Sequence, residues 1–387
     1  MKKLMMMVVA MLAILVLAAC TPEEENNDPI QCAPGYELID DSCVEIEEEE
    51  DVNQHCPFGE TFADGACTEI PDLELEIVGQ SLFLNGEPFY IQGICWNPVP
   101  KGGNHPRDLD FEAAVDVDAD LMQAAGINVI RTYEPITNRE TLDTLYEHGI
   151  YVINTVYSYG GSSVSRAVSI VEDLKDHPAI LMWAIGNEWN YNFLYYDMSL
   201  IEARERINEV AAAIKEVDRT HPVTTIYGYL PSSFTIQSMP DIDIWGLNVY
   251  SGITFGNLFQ DWARLSDKPM YLAEYGADSW NANIGALDEE SQAEATRTLT
   301  QIIINESSGS YPENRSIGGT IFSFNDEWWK DSSGSLDTQD TGGFAPGGGP
   351  YPDNTFNEEY WGIVDIDRNP RQAYYALQEL YVGSTEE

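Results

Sequence analysis

Basic residues are scarce in this chain. Its 387 residues include 19 Lys plus Arg against 65 Asp plus Glu, a formal charge of -46, and neither Lys nor Arg occurs between Lys3 and Lys101. Binding a phosphate backbone needs a basic face, so nucleic acid is excluded as a partner. Histidine is also sparse. His55, His105, His148, His177 and His221 show no metal-ligand spacing, so neither a catalytic metal nor another cofactor is expected. No Gly-x-Ser-x-Gly run occurs, which removes the nucleophile elbow of a Ser–His–Asp hydrolase. The glycine cluster at 342–352 lacks the Lys and Ser or Thr that complete a phosphate loop. Asp116-Val-Asp-Ala-Asp120 starts like a calcium loop, but Leu121 stands where glycine is required and Ile127 where a glutamate closes the loop. It therefore reads as a helix with an acidic face. What is present is a large apolar share: 43% hydrophobic and 11% aromatic residues suffice for a packed core and exclude wholesale disorder. One large domain with a short appendage fits the length.

The appendage is N-terminal. Residues 1–19 carry Lys2 and Lys3, then an apolar run to Val16, then Leu17-Ala18-Ala19 before Cys20. The apolar core is short for a membrane span and reads as a signal peptide. The small residues before Cys20 resemble a bacterial lipobox. That resemblance implies lipidation of Cys20 and a protein held in the bacterial cell envelope, outside the cytoplasm. Thr21 after the cysteine favours the outer membrane. Residues 20–76 are crowded with acids, including 47–51, and a like-charged segment extends as a tether. Within it Cys32 and Cys43, and Cys56 and Cys67, share a spacing of 11 residues, and the unit recurs after 24. In an exported segment these read as disulfides, with local pairing the simplest of three connectivities. Zinc is the rival reading, yet the close cysteine pairs of zinc sites are missing. Cys95 is left over in an apolar strand, as a buried thiol.

From residue 77 to 387 strands and helices alternate. Residues 81–90 read as a hairpin turned by Asn85-Gly86, and 89–95 as a first buried strand. Helices are expected at 110–125, 138–148, 162–175, 199–216, 254–265, 288–305 and 370–381. Further strands are expected at 127–131, 150–156, 180–186, 223–226, 242–248, 270–273 and 319–324. About eight such units match an α/β fold of the (β/α)8, or TIM-barrel, type. An open doubly wound sheet gives a similar alternation. However, Arg131, Asn187 with Glu188, Asn248 with Tyr250, and Glu274 all follow the C-terminal ends of apolar strands. A closed barrel gathers those ends at one mouth.

Two acids stand out. Glu188 closes the run Ile180-Leu-Met-Trp-Ala-Ile-Gly-Asn-Glu, and Glu274 closes Met270-Tyr-Leu-Ala-Glu. A carboxyl at the tip of an apolar strand is partly desolvated, and so is paired, protonated or functional. With Trp183-Ala-Ile-Gly-Asn-Glu188, Gly246-Leu-Asn-Val-Tyr250, Tyr271-Leu-Ala-Glu-Tyr-Gly276 and the Tyr-Trp-Gly-Ile-Val-Asp-Ile-Asp-Arg-Asn-Pro stretch at 360–370, the chain resembles the catalytic barrel of glycoside hydrolase family 2. It is also similar to family 5 and to the family 72 β-1,3-glucanosyltransferases of the same retaining clan. The resemblance runs from near Phe89 to the C-terminus. It implies Glu188 as acid/base, Glu274 as nucleophile and Asn187 as the residue bonding the sugar 2-hydroxyl. It implies Arg131 as the cation that keeps the nucleophile ionised, and Tyr250 as its hydrogen-bond donor. Trp328 would be the aromatic floor after the eighth strand. Such cleavage needs one carboxylic acid to protonate the departing oxygen and one carboxylate to attack the anomeric carbon, with the two about 5 to 5.5 Å apart for retention. Asn248 belongs to the same strand-end set, and Trp96, Tyr133 and Trp189 are further candidate sugar contacts. With Tyr157, Tyr159, Tyr191, Trp280, Trp328 and Trp329 they form an aromatic group near the mouth, about half of which is expected to face the cleft. Residues 191–196 and 342–352 read as loops rimming it.

The expected activity is retaining hydrolysis of a β-linked polysaccharide or oligosaccharide, with β-glucan, including β-1,3-glucan, the favoured class. The sandwich domains usual in family 2 are replaced by a tether, which weakens transfer of exo-acting galactosidase or mannosidase specificity. The Asn-x-Lys carboxylate-reading motif of the glucuronidases is missing near the eighth strand, where Asn325-Asp-Glu-Trp stands. Transglycosylation by the same carboxylates is one alternative. A surface glycan-binding protein without turnover is the other.

Overall fold

The computed structural model describes residues 73–307, 315–330, 334–344 and 348–383, with the backbone of four short strands ahead of them. By its contacts the chain divides into Met1–Cys56 and Pro57–Glu387. In the first unit Tyr36–Ile39 pairs antiparallel with Ser42–Glu45. In the second, Glu60–Ala63 pairs in the same way with Ala66–Glu69, so the 24-residue repeat carries a repeated hairpin. The proposed signal peptide, Cys20 lipidation and cysteine pairing lie outside the described residues. Among the described residues no helix is long and apolar enough to cross a membrane.

Eight parallel strands close into a barrel. They are β1 (Ile91–Cys95), β2 (Val129–Arg131), β3 (Tyr151–Tyr157), β4 (Ile180–Ile185), β5 (Val223–Gly228), β6 (Ile244–Asn248), β7 (Met270–Tyr275) and β8 (Gly318–Ile321). Pairing of β8 with β1, from Gly318 opposite Ile91 to Ile321 opposite Ile94, completes the ring and excludes the open-sheet alternative. Each strand is followed by a helix: α1 (Phe111–Ala124), α2 (Arg139–Glu147), α3 (Val164–Leu174), α4 (Leu200–Val217), α5 (Ser233–Gln237), α6 (Leu258–Leu265), α7 (Glu289–Ser307) and α8 (Gln372–Gly383). The starts are written in the sequence. Asp110, Asn138 and Ser163 cap α1, α2 and α3 through their side chains, and Ser199 with Glu202 forms a capping box on α4. Asp116, Asp118 and Asp120 lie within α1, as the helical reading required.

Strand side chains alternate between two cores, following the two-residue period of a strand. Val129, Ile153, Met182 and Ala184 pack inside the barrel, whereas Ile130, Val152 and Trp183 pack outward under the helices. Ahead of β1, strands Leu75–Val78, Ser81–Leu84 and Glu87–Phe89 form an antiparallel sheet. Its expected hairpin turn is present, with φ 53° at Asn85 and 82° at Gly86. Leu82, together with Leu75, Ile77 and Phe89, joins the interior cluster beside Ile91 and Ile317. The sheet thereby closes the N-terminal end of the barrel.

Some boundaries differ from expectation. β8 stops at Ile321 rather than at Phe324, and β7 runs on to Tyr275. Helix α6 starts four residues late, after Gly256 at φ 56°, a conformation outside the helical region. Short α5 and two small strand pairs, Trp280–Asn281 with Ala286–Leu287 and Gly343–Phe344 with Phe356–Asn357, were not anticipated.

Candidate active site

At the C-terminal end of the strands opens a cavity of about 1200 Å³. Glu188 and Glu274 both line it, with Asn187, Asn248, Tyr133 and Tyr250. Glu274 is 7% exposed. Its Oε1 accepts from Arg131 Nη1 at 3.0 Å and from the Tyr133 hydroxyl at 2.7 Å, and its Oε2 accepts from the Tyr250 hydroxyl at 3.0 Å. Arg131, fully buried at the end of β2, is itself held. Nη1 also donates to the Ala273 carbonyl at 2.8 Å and Nη2 to Asn187 Oδ1 at 2.7 Å. Asn248 Nδ2 donates to that same Oδ1 at 3.2 Å. Two donors on one oxygen fix the orientation of the Asn187 amide and leave Nδ2 as its donor end. A carboxylate braced on both oxygens by a cation and two phenols stays put while a ligand arrives.

Glu188 is built differently. It sits three residues past the end of β4 with φ 47° and ψ 34°, a left-handed conformation that costs a non-glycine residue roughly 1 to 3 kcal/mol. Its N–H donates to the Ile226 carbonyl at 3.0 Å, and its carbonyl accepts from Tyr191 and Asn192. The strained turn thereby starts the short helix Trp189–Asn192. Burial pushes the Glu188 carboxyl up to about 7, and the charge of Glu274 adds to the shift, against the Asn248 amide and the charges of Lys330 and Arg131. A carboxyl that holds its proton near neutrality faces, in one cavity, a carboxylate saturated with donors. That asymmetry is what divides acid from nucleophile in a two-carboxyl mechanism.

Three aromatic assignments are corrected. Trp96 is fully buried on the helix side of β1, with Nε1 donating to Asp118 Oδ2 at 2.8 Å and its ring against Phe111. Alternation explains it: Cys95 faces inward, Trp96 outward, and Asn97 the cavity. Trp189 is buried behind the mouth, with Nε1 on Thr225 Oγ1 at 3.0 Å. Trp328 lies under the Lys101 ammonium, 4.4 Å from its ring centre, and is not among the cavity-lining residues. Phe322, directly after β8, lines the cavity in its stead, 3% exposed. It packs on Trp361 at 5.4 Å and edge-on to Tyr133 at 6.2 Å. The late expected end of β8 concealed it. Of the nine mouth aromatics, Tyr133, Tyr159, Tyr191 and Trp329 line the cavity, close to the half expected. Tyr191 and Tyr195 of the expected 191–196 loop line it, as do Phe344 and Gly348 of the expected 342–352 loop. Asn97, Glu327, Lys330 and Glu358 also line the cavity and were not anticipated. Glu327 lay within a quoted motif, but nothing in its spacing marked it as exposed to a ligand. Among the described residues no group of His, Cys, Asp and Glu is arranged to hold a metal ion.

Residues 158–306 match the family model described as "Glycosyl hydrolases family 2, TIM barrel domain". The chain is similar to the beta-glucuronidase of Rattus norvegicus, 26% identical over 336 residues that cover 79% of this chain and 46% of the relative. The beta-glucuronidase of Mus musculus is 27% identical over 227 residues, covering 52% and 33%. Among solved structures, Bacteroides uniformis beta-glucuronidase superposes with a TM-score of 0.58 at 20% identity, covering 81% of this chain and 37% of that one. A GH2 beta-galacturonidase from Eisenbergiella tayi bound to galacturonate gives 0.58 at 20%, covering 82% and 55%. These superpositions establish a shared barrel. The chain spans less than half the length of the curated relatives it matches.

Proposed function

We propose that the protein is a retaining β-glycoside hydrolase of the family 2 type. Glu274 attacks the anomeric carbon, and Glu188 protonates the departing oxygen and then deprotonates the incoming water. The observation that carries this reading is the unlike setting of the two carboxyls: Glu274 braced by Arg131, Tyr133 and Tyr250, and Glu188 holding its proton to about 7. Asn187, anchored through Oδ1, offers Nδ2 to a sugar hydroxyl. Exposed Tyr191, Tyr195 and Tyr229 around the cavity suit stacking on further sugars, which favours an oligosaccharide or polysaccharide, with β-glucan the first class to test. The N-terminal sequence supports a lipid-anchored protein acting in the cell envelope.

The test is kinetic. Glu274→Ala is expected to lose at least about 1000-fold in kcat on every substrate. Glu188→Ala is expected to keep the first step on aryl glycosides whose leaving group needs no proton, while losing polysaccharide cleavage. Equal losses in both variants on both substrate types would overturn the assigned roles.

A further inference from the structure

We infer that this cavity selects an uncharged sugar next to Glu274 and refuses a uronate, through the cluster formed by Asn97, Glu327, Lys330 and Glu358. The inference rests on the hydrolase reading and names its substrate class.

Binding a sugar carboxylate requires a cation free to meet it. Among the described lining residues the cations are Lys330 and Arg166, against the carboxyls of Glu134, Glu188, Glu274, Glu327 and Glu358. Lys330 is committed. Its Nζ is 3.1 Å from Glu358 Oε2 and 3.5 Å from Glu327 Oε2, and lies 3.9 Å from the Phe322 ring centre. Arg166 stands within electrostatic reach of Glu134 at the rim. His105 contributes no charge, since burial and the nearby Lys330 lower its imidazole to about 4. Arg131, behind the floor, is engaged by Glu274, Asn187 and the Ala273 carbonyl. A uronate beside Glu274 would thus meet Glu274 and Glu358, with Glu327 pushed up to about 7 by burial and Lys330 already held between the Glu327 and Glu358 carboxyls.

A hydroxyl fits the same wall. Asn97 is 4% exposed, donates from Nδ2 to Glu327 Oε1 at 3.1 Å, and has an Oδ1 without a hydrogen-bond partner. The Asn97 Oδ1 needs a donor, and Glu358, paired through Oε2 with Lys330, can accept another; a sugar O–H supplies such a donor and a uronate oxygen does not. Lys330 lies against the Phe322 ring, which packs edge-on to Tyr133, the donor to Glu274 Oε1, so the cluster stands on the Glu274 side of the cavity, beside the sugar that is attacked. The relatives named for glucuronate and galacturonate would lead to the opposite substrate.

Matched pairs decide it: aryl β-glucoside against β-glucuronide, aryl β-galactoside against β-galacturonide, and β-glucan oligosaccharides against their C6-oxidised forms. In each pair that is cleaved, kcat/KM is expected to favour the neutral member by at least about 100-fold, as like-charge juxtaposition demands. A uronide cleaved as well as its neutral partner overturns this inference and leaves the hydrolase reading intact. No cleavage in any pair overturns both. Replacing Glu327→Gln with Glu358→Gln frees Lys330 and is expected to raise the uronide-to-neutral ratio about 10-fold or more. Should the double variant not fold, Glu358→Gln alone, at a side chain 32% exposed, is expected to move the ratio in the same direction. An unchanged ratio in a folded variant overturns the cluster's role.

Discussion

At the residue scale, Glu188 joins a backbone cost to a chemical gain. The left-handed turn lifts its carboxyl off the strand and into the cavity, where burial favours the protonated form. As the proposed proton donor of the first step, it must be neutral to act. The first step, which kcat/KM reports, therefore keeps its rate below this pKa as far as Glu188 is concerned and falls about tenfold per pH unit above it. The expected kcat/KM profile on poor leaving groups has an alkaline limb near pH 7, and on substrates that need no proton the limb disappears. A rate–pH series on one substrate of each kind checks this. The identity of Glu188 and Glu274 was legible because a charged residue ending an apolar strand is conspicuous. Their brace was legible only in part. Arg131 and Tyr250 were foreseen in that role, while Tyr133, placed among the sugar contacts, proves also to donate to Glu274.

At the element scale, the lesson concerns where strands stop. Helix caps and apolar runs marked nearly every barrel element within a few residues, because local side-chain hydrogen bonds and burial set them. The end of β8 had no such mark, since Phe322 and Phe324 continue its apolar pattern and both are buried. A three-residue error there placed the expected aromatic floor at Trp328. Aromatic residues beside a mouth are equally at home under helices, and a step of one residue along a strand decides between the two, as at Trp96 and Asn97. Phe322→Ala is expected to lower kcat/KM about 10-fold or more through loss of the packing that holds Tyr133 and Lys330 beside the cavity. Trp328→Ala is expected to stay within about threefold, as suits a residue outside the cavity. Steady-state kinetics on one substrate, with thermal melting to confirm folding, separates them. Comparable losses in both variants would reverse the correction.

At the scale of the whole molecule, stability and chemistry occupy opposite ends of one barrel. Closure of the ring was anticipated from convergent polar strand ends; the antiparallel sheet beneath it was seen only as a hairpin, because its packing against the interior joins residues distant in sequence. Leu82, 1% exposed in that contact, is the residue to test. Leu82→Ala is expected to destabilise the fold by about 2 to 5 kcal/mol, read as a lowered denaturation midpoint, with kcat/KM close to that of the parent protein at temperatures where both are folded. A large loss of activity without loss of stability would show that the two ends are coupled.

Because side chains fill the barrel above that sheet, the described cavity opens at the C-terminal end of the strands. On the proposed mechanism, a severed chain leaves past the exposed rings of Tyr191 and Tyr195 before water can take its place at the anomeric carbon, so exit and entry occur in turn. The dwell time of the departing fragment on those rings then sets how often the broken bond is remade, or a new one made, before hydrolysis completes.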